Sequence, residues 1–162
     1  MKIQARLRRE DGAAAVEFAL IVGVLAMLIF GMLQFGLAFF ELQNLRAATR
    51  EGARVGAVDG TVGDIQARVS SLTGVGSFGT SLKVYRNIST TSTPNFVQVS
   101  TTTEKPCVLA TGTQPQSVKT AIVLSDGALP AGLQNIFTVD IPLMPSINLR
   151  SATVYGEFRC EN

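Results

Sequence analysis

Few side chains in this chain could do chemistry, and their spacing narrows what that chemistry could be. The 162 residues include no histidine and only two cysteines, Cys107 and Cys160, so neither a four-ligand zinc site nor a Cys-His nucleophile can be assembled from side chains. The carboxylates after residue 58 are Asp59, Asp64, Glu104, Asp126, Asp140, Glu157 and Glu161, scattered rather than paired. The Asp-Gly steps at 59–60 and 126–127 read as turns. GVGSFG, residues 74–79, lacks both the G-x-G-x-x-G spacing and a preceding strand, so it reads as a linker rather than a phosphate cradle. The expectation is a non-catalytic protein with no catalytic residue, metal or cofactor. A membrane-tethered enzyme stays open as a third class, because distant carboxylates can meet in a fold. One carboxylate is placed differently: Glu17 stands at the head of a long uncharged run, where it can complement a helix dipole or hold a cation.

The element that positions Glu17 is an apolar helix. From Phe18 to Phe40 there is no charged residue, and Gln34 is the only strongly polar side chain. At 1.5 Å per residue this segment reaches about 35 Å, against a hydrocarbon core of about 30 Å. A buried globular helix is the bland alternative, but core helices seldom run so far without charge. A cleaved secretory signal, with Gly36–Ala38 as its peptidase site, would have an apolar run of about 18 residues, longer than the roughly 7 to 15 of such signals. A retained anchor is expected. Its orientation is open on charge alone, since Lys2, Arg6, Arg8 and Arg9 precede the span and Arg46, Arg50 and Arg54 follow it.

Residues 1–12 read as a short basic leader, with Asp11 as N-cap and Gly12 as a joint ahead of three alanines. Beyond the span, residues 41–58 are rich in helix formers and contain no proline, with Leu42 and Leu45 on one side. One helix from about Ala13 to about Ala57 would be roughly 68 Å long. Its protruding half carries Ala48, Gly52 and Gly56 as a strip without bulk, suited to close approach of another helix or of the protein's own sheet. Arg46, Arg50 and Arg54 make a basic stripe beside it, read as a solvated or lipid-facing side or as a partner contact.

Residues 58–162 read as a small α+β head. A second helix is expected from about Val62 to Leu72, started by Thr61 with Asp64, ended by Gly74, and presenting Val62, Ile65, Val69 and Leu72 on one face. After Gly79 come strand candidates SLKVYRNIS, NFVQVS, TAIVLS, NIFTVDI and ATVYGEFRC; the first places Leu82, Val84 and Ile88 on one side, and the last places Val154, Phe158 and Cys160 on one face. Residues 89–103 hold nine Ser or Thr and read as a hairpin connection around Pro94, with strand structure equally reasonable from the β-propensity of Thr. Asn87-Ile88-Ser89 is a formal glycosylation acceptor, a pattern common by chance. Cys107 and Cys160 are either a disulfide, if the head lies outside the cytoplasm, or two core thiols. The net charge of +2, with no basic patch interleaved with aromatics, argues against nucleic acid as a partner.

The junction G-AAAVEF-ALI, with Gly12, Glu17 and Phe18 in that order ahead of a membrane helix, resembles the processing site of the Flp, or tight-adherence, branch of type IV pilins. Together with AATREGARVGA and the small α+β head, it resembles the TadE-type pseudopilins of that system. The resemblance spans residues 9–57 and implies a minor pilin with a long helix packed against a short helix and an antiparallel sheet. It implies cleavage between Gly12 and Ala13 by a prepilin peptidase, a cytoplasmic N-terminus, a head across the inner membrane, and assembly with other pilins and the pilus platform. It also gives Glu17 a partner, the new amine of Ala13, whose reference pKa is about 8. The chain departs from the family pattern where a proline often follows this segment, and has Gly23 instead. An uncleaved single-pass envelope protein with a ligand-binding head is the alternative.

Overall fold

The computed structural model describes residues 4–109, 112, 114–124, 138–139, 147–148 and 153–161. Helix α1 runs from Gln4 to Ala57, 54 residues and roughly 81 Å at the usual rise. It starts ahead of the Asp11 cap expected from the sequence and continues through Gly12, because QARLRRED is itself made largely of good helix formers. Within it, Gly12–Ala57 contains a stretch long and apolar enough to cross a membrane, and most of the large apolar side chains from Val16 to Phe40 stand in the open, Met27 and Phe35 being half-buried. α1 ends where expected. Asp59 turns left-handed at φ 69°, and the amide of Gly60 donates to the carbonyl of Val55 at 3.0 Å, closing the last turn. Gly60 is required there, since a Cβ would meet the Val55 carbonyl oxygen at 2.5 Å.

Helix α2, Val62–Thr73, is built by its own ends. The Thr61 hydroxyl accepts from the Asp64 amide at 3.2 Å, the Asp64 carboxylate accepts from the Thr61 amide at 2.9 Å, and Gly74 closes the helix with a left-handed φ of 68°. The bonds from the Thr61 backbone and then its hydroxyl hold the Asp64 carboxyl below the usual carboxylate range, with Lys105 adding a smaller pull. A depressed carboxyl stabilises the fold above its unfolded value, and the contribution fades as pH falls through the folded one. Two further amides at this end, Val62 and Gly63, donate to the carbonyls of Glu104 and Thr102 at 2.9 and 2.8 Å.

A single 3-10 turn, Gly79–Ser81, leads into a four-stranded antiparallel sheet. Its strands are β1 (Leu82–Asn87), β2 (Phe96–Val99), β3 (Ser117–Val123) and β6 (Thr153–Arg159), in the order β2-β1-β3-β6. A separate two-stranded pair joins β4 (Thr138–Val139) to β5 (Ile147–Asn148), so most of NIFTVDI lies outside the described residues. β3 starts three residues earlier than the TAIVLS reading, at Ser117. The register places Val84 opposite both Val99 and Thr120, and Thr120 opposite Gly156, which puts one row across all four strands on the face that meets the helices.

The core forms where α1, α2 and this face converge. Leu45 and Ala48 of α1 are buried with Val62, Ile65 and Val69 of α2, Phe78, Leu82, Val84 and Val99, and Val118, Ile122, Leu124 and Val154. Three apolar residues expected to share inward faces depart from this. Leu72 is exposed at the mouth of a groove of about 380 Å³, where α1 presents the short methyls of Ala47 and Ala48 beside the polar Asn44 and Glu51 and no large apolar side chain to meet it. Phe158 lies on the Val154 side but on an edge strand, with no further described strand to shield it. Ile88 falls just past β1 and is half-buried in the connection to β2.

Candidate anchoring and assembly site

α1 sets out the residues singled out at the leader junction along one continuous helix. Ala13 and Glu17 are four residues apart and therefore one turn apart on the same side. Gly12, Ala13 and Glu17 are all exposed, Phe18 is 67% exposed, and nothing lies within 4 Å of where a Gly12 Cβ would be. No other described element folds over the junction, which leaves these side chains to whatever surrounds the helix.

Further along the helix the small-residue strip is occupied. A Cβ on Gly52 would meet Val69 Cγ2 at 2.7 Å and Ile65 Cγ2 at 3.2 Å, and one on Gly56 would meet Ile65 Cδ1 at 2.8 Å and Val118 Cγ1 at 3.1 Å; Ala48 is fully buried. Of the two readings the sequence allowed, the strip serves the protein's own head. The two glycines differ in what stands in the way. Gly52 faces the stiff branch methyls of β-branched side chains, whereas Gly56 faces mainly the mobile end of Ile65. Gly52→Ala should therefore lower the thermal midpoint of the detergent-solubilised protein, a loss of about 1 to 3 kcal/mol. Gly56→Ala should cost less, because the terminal methyl of Ile65 can turn aside while the gain in helix propensity is common to both variants. Equal midpoints for the two variants would contradict this packing.

The basic stripe has no comparable role in the core. Arg46, Arg50 and Arg54 are exposed; Arg54 lies 3.8 Å from Glu51, which pairs more closely with Arg68 of α2 at 3.1 Å. Such exposed pairs are worth about 0 to 1 kcal/mol each. The backbone of Arg50 matters more than its charge. A Cβ on Gly156 would meet Arg50 Cα and N at 2.5 Å, so β6 crosses α1 almost in backbone contact. The sequence reading passed over Gly156, although an isolated glycine inside ATVYGEFRC is the kind of signal that marks close backbone approach.

Cys107 and Cys160 are joined by a disulfide, with their Cα atoms 5.6 Å apart. The bridge fastens the end of β6 to the segment after β2. That segment also supplies the carbonyls at the start of α2, and next to the bridge the Glu161 amide donates to Ala57 at the end of α1, at 3.3 Å. Arg86 and Glu104, 2.6 Å apart, tie the same segment to β1.

The formal glycosylation acceptor is committed elsewhere. Asn87 is buried, and its Oδ1 accepts from the amides of Ser89 and Asn95 at 3.1 and 3.0 Å, bracing the β1–β2 connection. Among the described residues no group of three or more His, Cys, Asp or Glu could hold a metal ion. On the outer sheet face Lys119 Nζ sits 4.3 Å from the Tyr155 ring centre and 4.9 Å from that of Phe96, a cation-π contact that no sequence pattern announced.

No curated protein and no solved structure matches the chain. One family model does, that of TadE, described as TadE-like protein, over residues 12–54. The matched stretch begins at Gly12, takes in Glu17, Phe18 and the apolar helix, and ends in the part of α1 that carries Gly52 and packs into the head. Over its anchor and stalk, residues 12–54, the chain is similar to TadE-like proteins, which is consistent with a TadE-like protein of the Tad/Flp pilus system.

Proposed function

We propose that the chain is a minor pilin, or pseudopilin, cut between Gly12 and Ala13 by a prepilin peptidase on the cytoplasmic side of the inner membrane and acting in assembly of an adhesive pilus. The observation that carries the reading is the match of residues 12–54 to the TadE-like family, beginning at the glycine after which cleavage would fall. The disulfide supports a head on the oxidising side of the membrane, since such bonds persist there and are rare in the cytoplasm. The role is structural. α1 anchors and stiffens, and the head offers a surface to other pilins or to the assembly platform.

In this reading Glu17 has two stages. Before assembly it sits close to the membrane edge, where its charge is tolerable because the side chain can reach the interface. After cleavage the Ala13 amine is largely protonated at neutral pH and lies one turn away, in the same subunit or in a neighbour. Pairing in a bundle of such helices lowers the cost of both charges and fixes axial register. Glu17→Ala should leave cleavage intact and reduce incorporation into pili roughly tenfold, since a charge-assisted hydrogen bond is worth about 1.5 to 3 kcal/mol. Immunoblots of sheared pili read this directly, and wild-type incorporation of the variant would sink the pairing.

One observation favours the second reading, an uncleaved envelope anchor. α1 passes through Gly12 without a break, so a peptidase would have to unwind a helical bond. Intact-mass measurement of the membrane-extracted protein from cells containing the peptidase separates the two. A mature N-terminus at Ala13 supports the pilin, and retention of residues 1–12 supports the plain anchor.

A further inference from the structure

α1 and α2 run antiparallel, which fixes where each end of α2 stands. A Cβ on Gly56 would meet Ile65 and one on Gly52 would meet Val69, while farther down Glu51 pairs with Arg68 at 3.1 Å and Leu72 lies over Asn44, Ala47 and Ala48. The C-terminal end of α2 therefore points back along α1 toward the apolar span. Asn44 is four residues past Phe40, roughly 6 Å along the helix axis. The headgroup layer on each side of a bilayer is about 5 to 8 Å thick. Ala38, on the same side of α1 as the core residue Leu45 and inside Phe40, is fully buried, so protein covers this side down to the end of the uncharged run. A head seated so low meets the membrane surface.

What the chain presents at this end suits that layer. Between Arg68 and Lys83 no residue is charged, and Leu72 is 47% exposed. After Thr73 the chain turns at the left-handed Gly74 and comes back at Ser77 and Phe78 beside Gln66 and Ser70, which makes residues 74–76 a tip. Nothing lies within 4 Å of where a Cβ on Gly74 or Gly76 would be. The hydroxyls ahead of the tip are bonded inside the protein: Ser71 Oγ donates to the Arg68 carbonyl at 2.8 Å, and Thr73 Oγ1 to the Val69 carbonyl at 2.9 Å. Bonded in this way, they can leave water at little cost. We propose that this end of the head, Leu72 with the tip at 74–76, rests in the lipid headgroup layer. The contact gives the head a second footing beside α1 and sets how it leans on the bilayer. Because the surface is uncharged, the footing depends on apolar burial and not on the charge of the lipid.

The footing rests on α1 spanning a membrane and is independent of leader cleavage. The chain contains no tryptophan, so a single introduced one reports its own surroundings. The test places the full chain in phosphatidylcholine vesicles with and without bromine on the acyl chains, and reads tryptophan emission. Leu72→Trp and Gly76→Trp should emit at shorter wavelength in vesicles than in detergent-free buffer analogues such as Val58→Trp, and bromine should quench them. Val58 is matched in exposure at 52% but lies eighteen residues past Phe40, roughly 27 Å along α1, and its reporter should keep its full emission. Phe30→Trp, in the middle of the span, should be quenched most. Quenching of both tip reporters no greater than that of Val58→Trp would overturn the proposal. So would quenching that disappears in about 1 M salt, where the screening length falls to about 3 Å, since the contact would then be one of charge. An unquenched Phe30→Trp would remove the membrane reading itself and the footing with it.

Discussion

Gly156→Val should detach β6 from α1 and cost the head about 3 kcal/mol or more, at or beyond the upper end of ordinary overpacking. The obstruction is what makes the effect large. At most crowded positions a new methyl meets the end of a side chain that can turn aside, but at Gly156 it meets Arg50 Cα and N at 2.5 Å and Thr49 C at 2.7 Å. Backbone inside a helix yields only if the whole helix moves. α1 cannot move locally, because Leu45, Ala48, Gly52 and Gly56 hold it against α2 and the sheet around the crossing. For a domain of this size a loss of 3 kcal/mol lowers the thermal midpoint by about 12 to 24 °C. Near-ultraviolet circular dichroism of the detergent-solubilised protein, with partial proteolysis as a second readout, checks it. Gly156→Ala is the sharper variant, since it adds only the clashing methyl. A midpoint within about 2 °C of wild type would show that the two backbones are not in contact, a shift worth less than about 1 kcal/mol.

Removing the disulfide should have an effect of similar size by a different route. Cys107 and Cys160 are 53 residues apart, and opening a loop of that length costs up to about 4 kcal/mol in the chain-entropy model, an upper figure for bridges of this kind. Much of the effect lies in the unfolded chain, which regains freedom when the link is lost. The folded head also loses a clasp, because the bridge holds the end of β6 beside the segment that supplies the Thr102 and Glu104 carbonyls to α2. The double variant Cys107→Ser with Cys160→Ser should unfold in urea at a clearly lower midpoint, and reduction of the wild type should reproduce the shift. Coincident curves for oxidised and reduced protein would contradict it. In cells, about 4 kcal/mol is a large share of the roughly 5 to 15 kcal/mol that holds a domain folded, so the variant should also accumulate less.

Both predictions concern contacts between residues far apart in the chain, and this is also where legibility changes. α2 could be read almost to the residue, because a capping box, an apolar stripe and a left-handed glycine act within twelve residues of each other. The end of α1 and the cores of β1, β2 and β6 could be read for the same reason, through short-range alternation and turn residues. Leu72 and Phe158 were misjudged because their periodicity gives the face but not what stands opposite. Gly12, Glu17 and Phe18 are legible only as a linear motif, since the described structure folds nothing over them.

By itself, then, the sequence determined a single apolar helix of spanning length, its continuation as a stalk, a head of one short helix with strands, and a TadE-like junction at its start. The helix, the stalk and the head follow from composition and periodicity, which act locally, and the junction from its resemblance to a linear motif. Only the tertiary structure decided that the strip of Ala48, Gly52 and Gly56 seats the protein's own α2 and sheet. It alone decided that β6 crosses α1 at Gly156, and that Cys107 and Cys160 meet. A glycine or a cysteine carries no mark of its partner; which backbone approaches it is set by how the sheet closes on the helix.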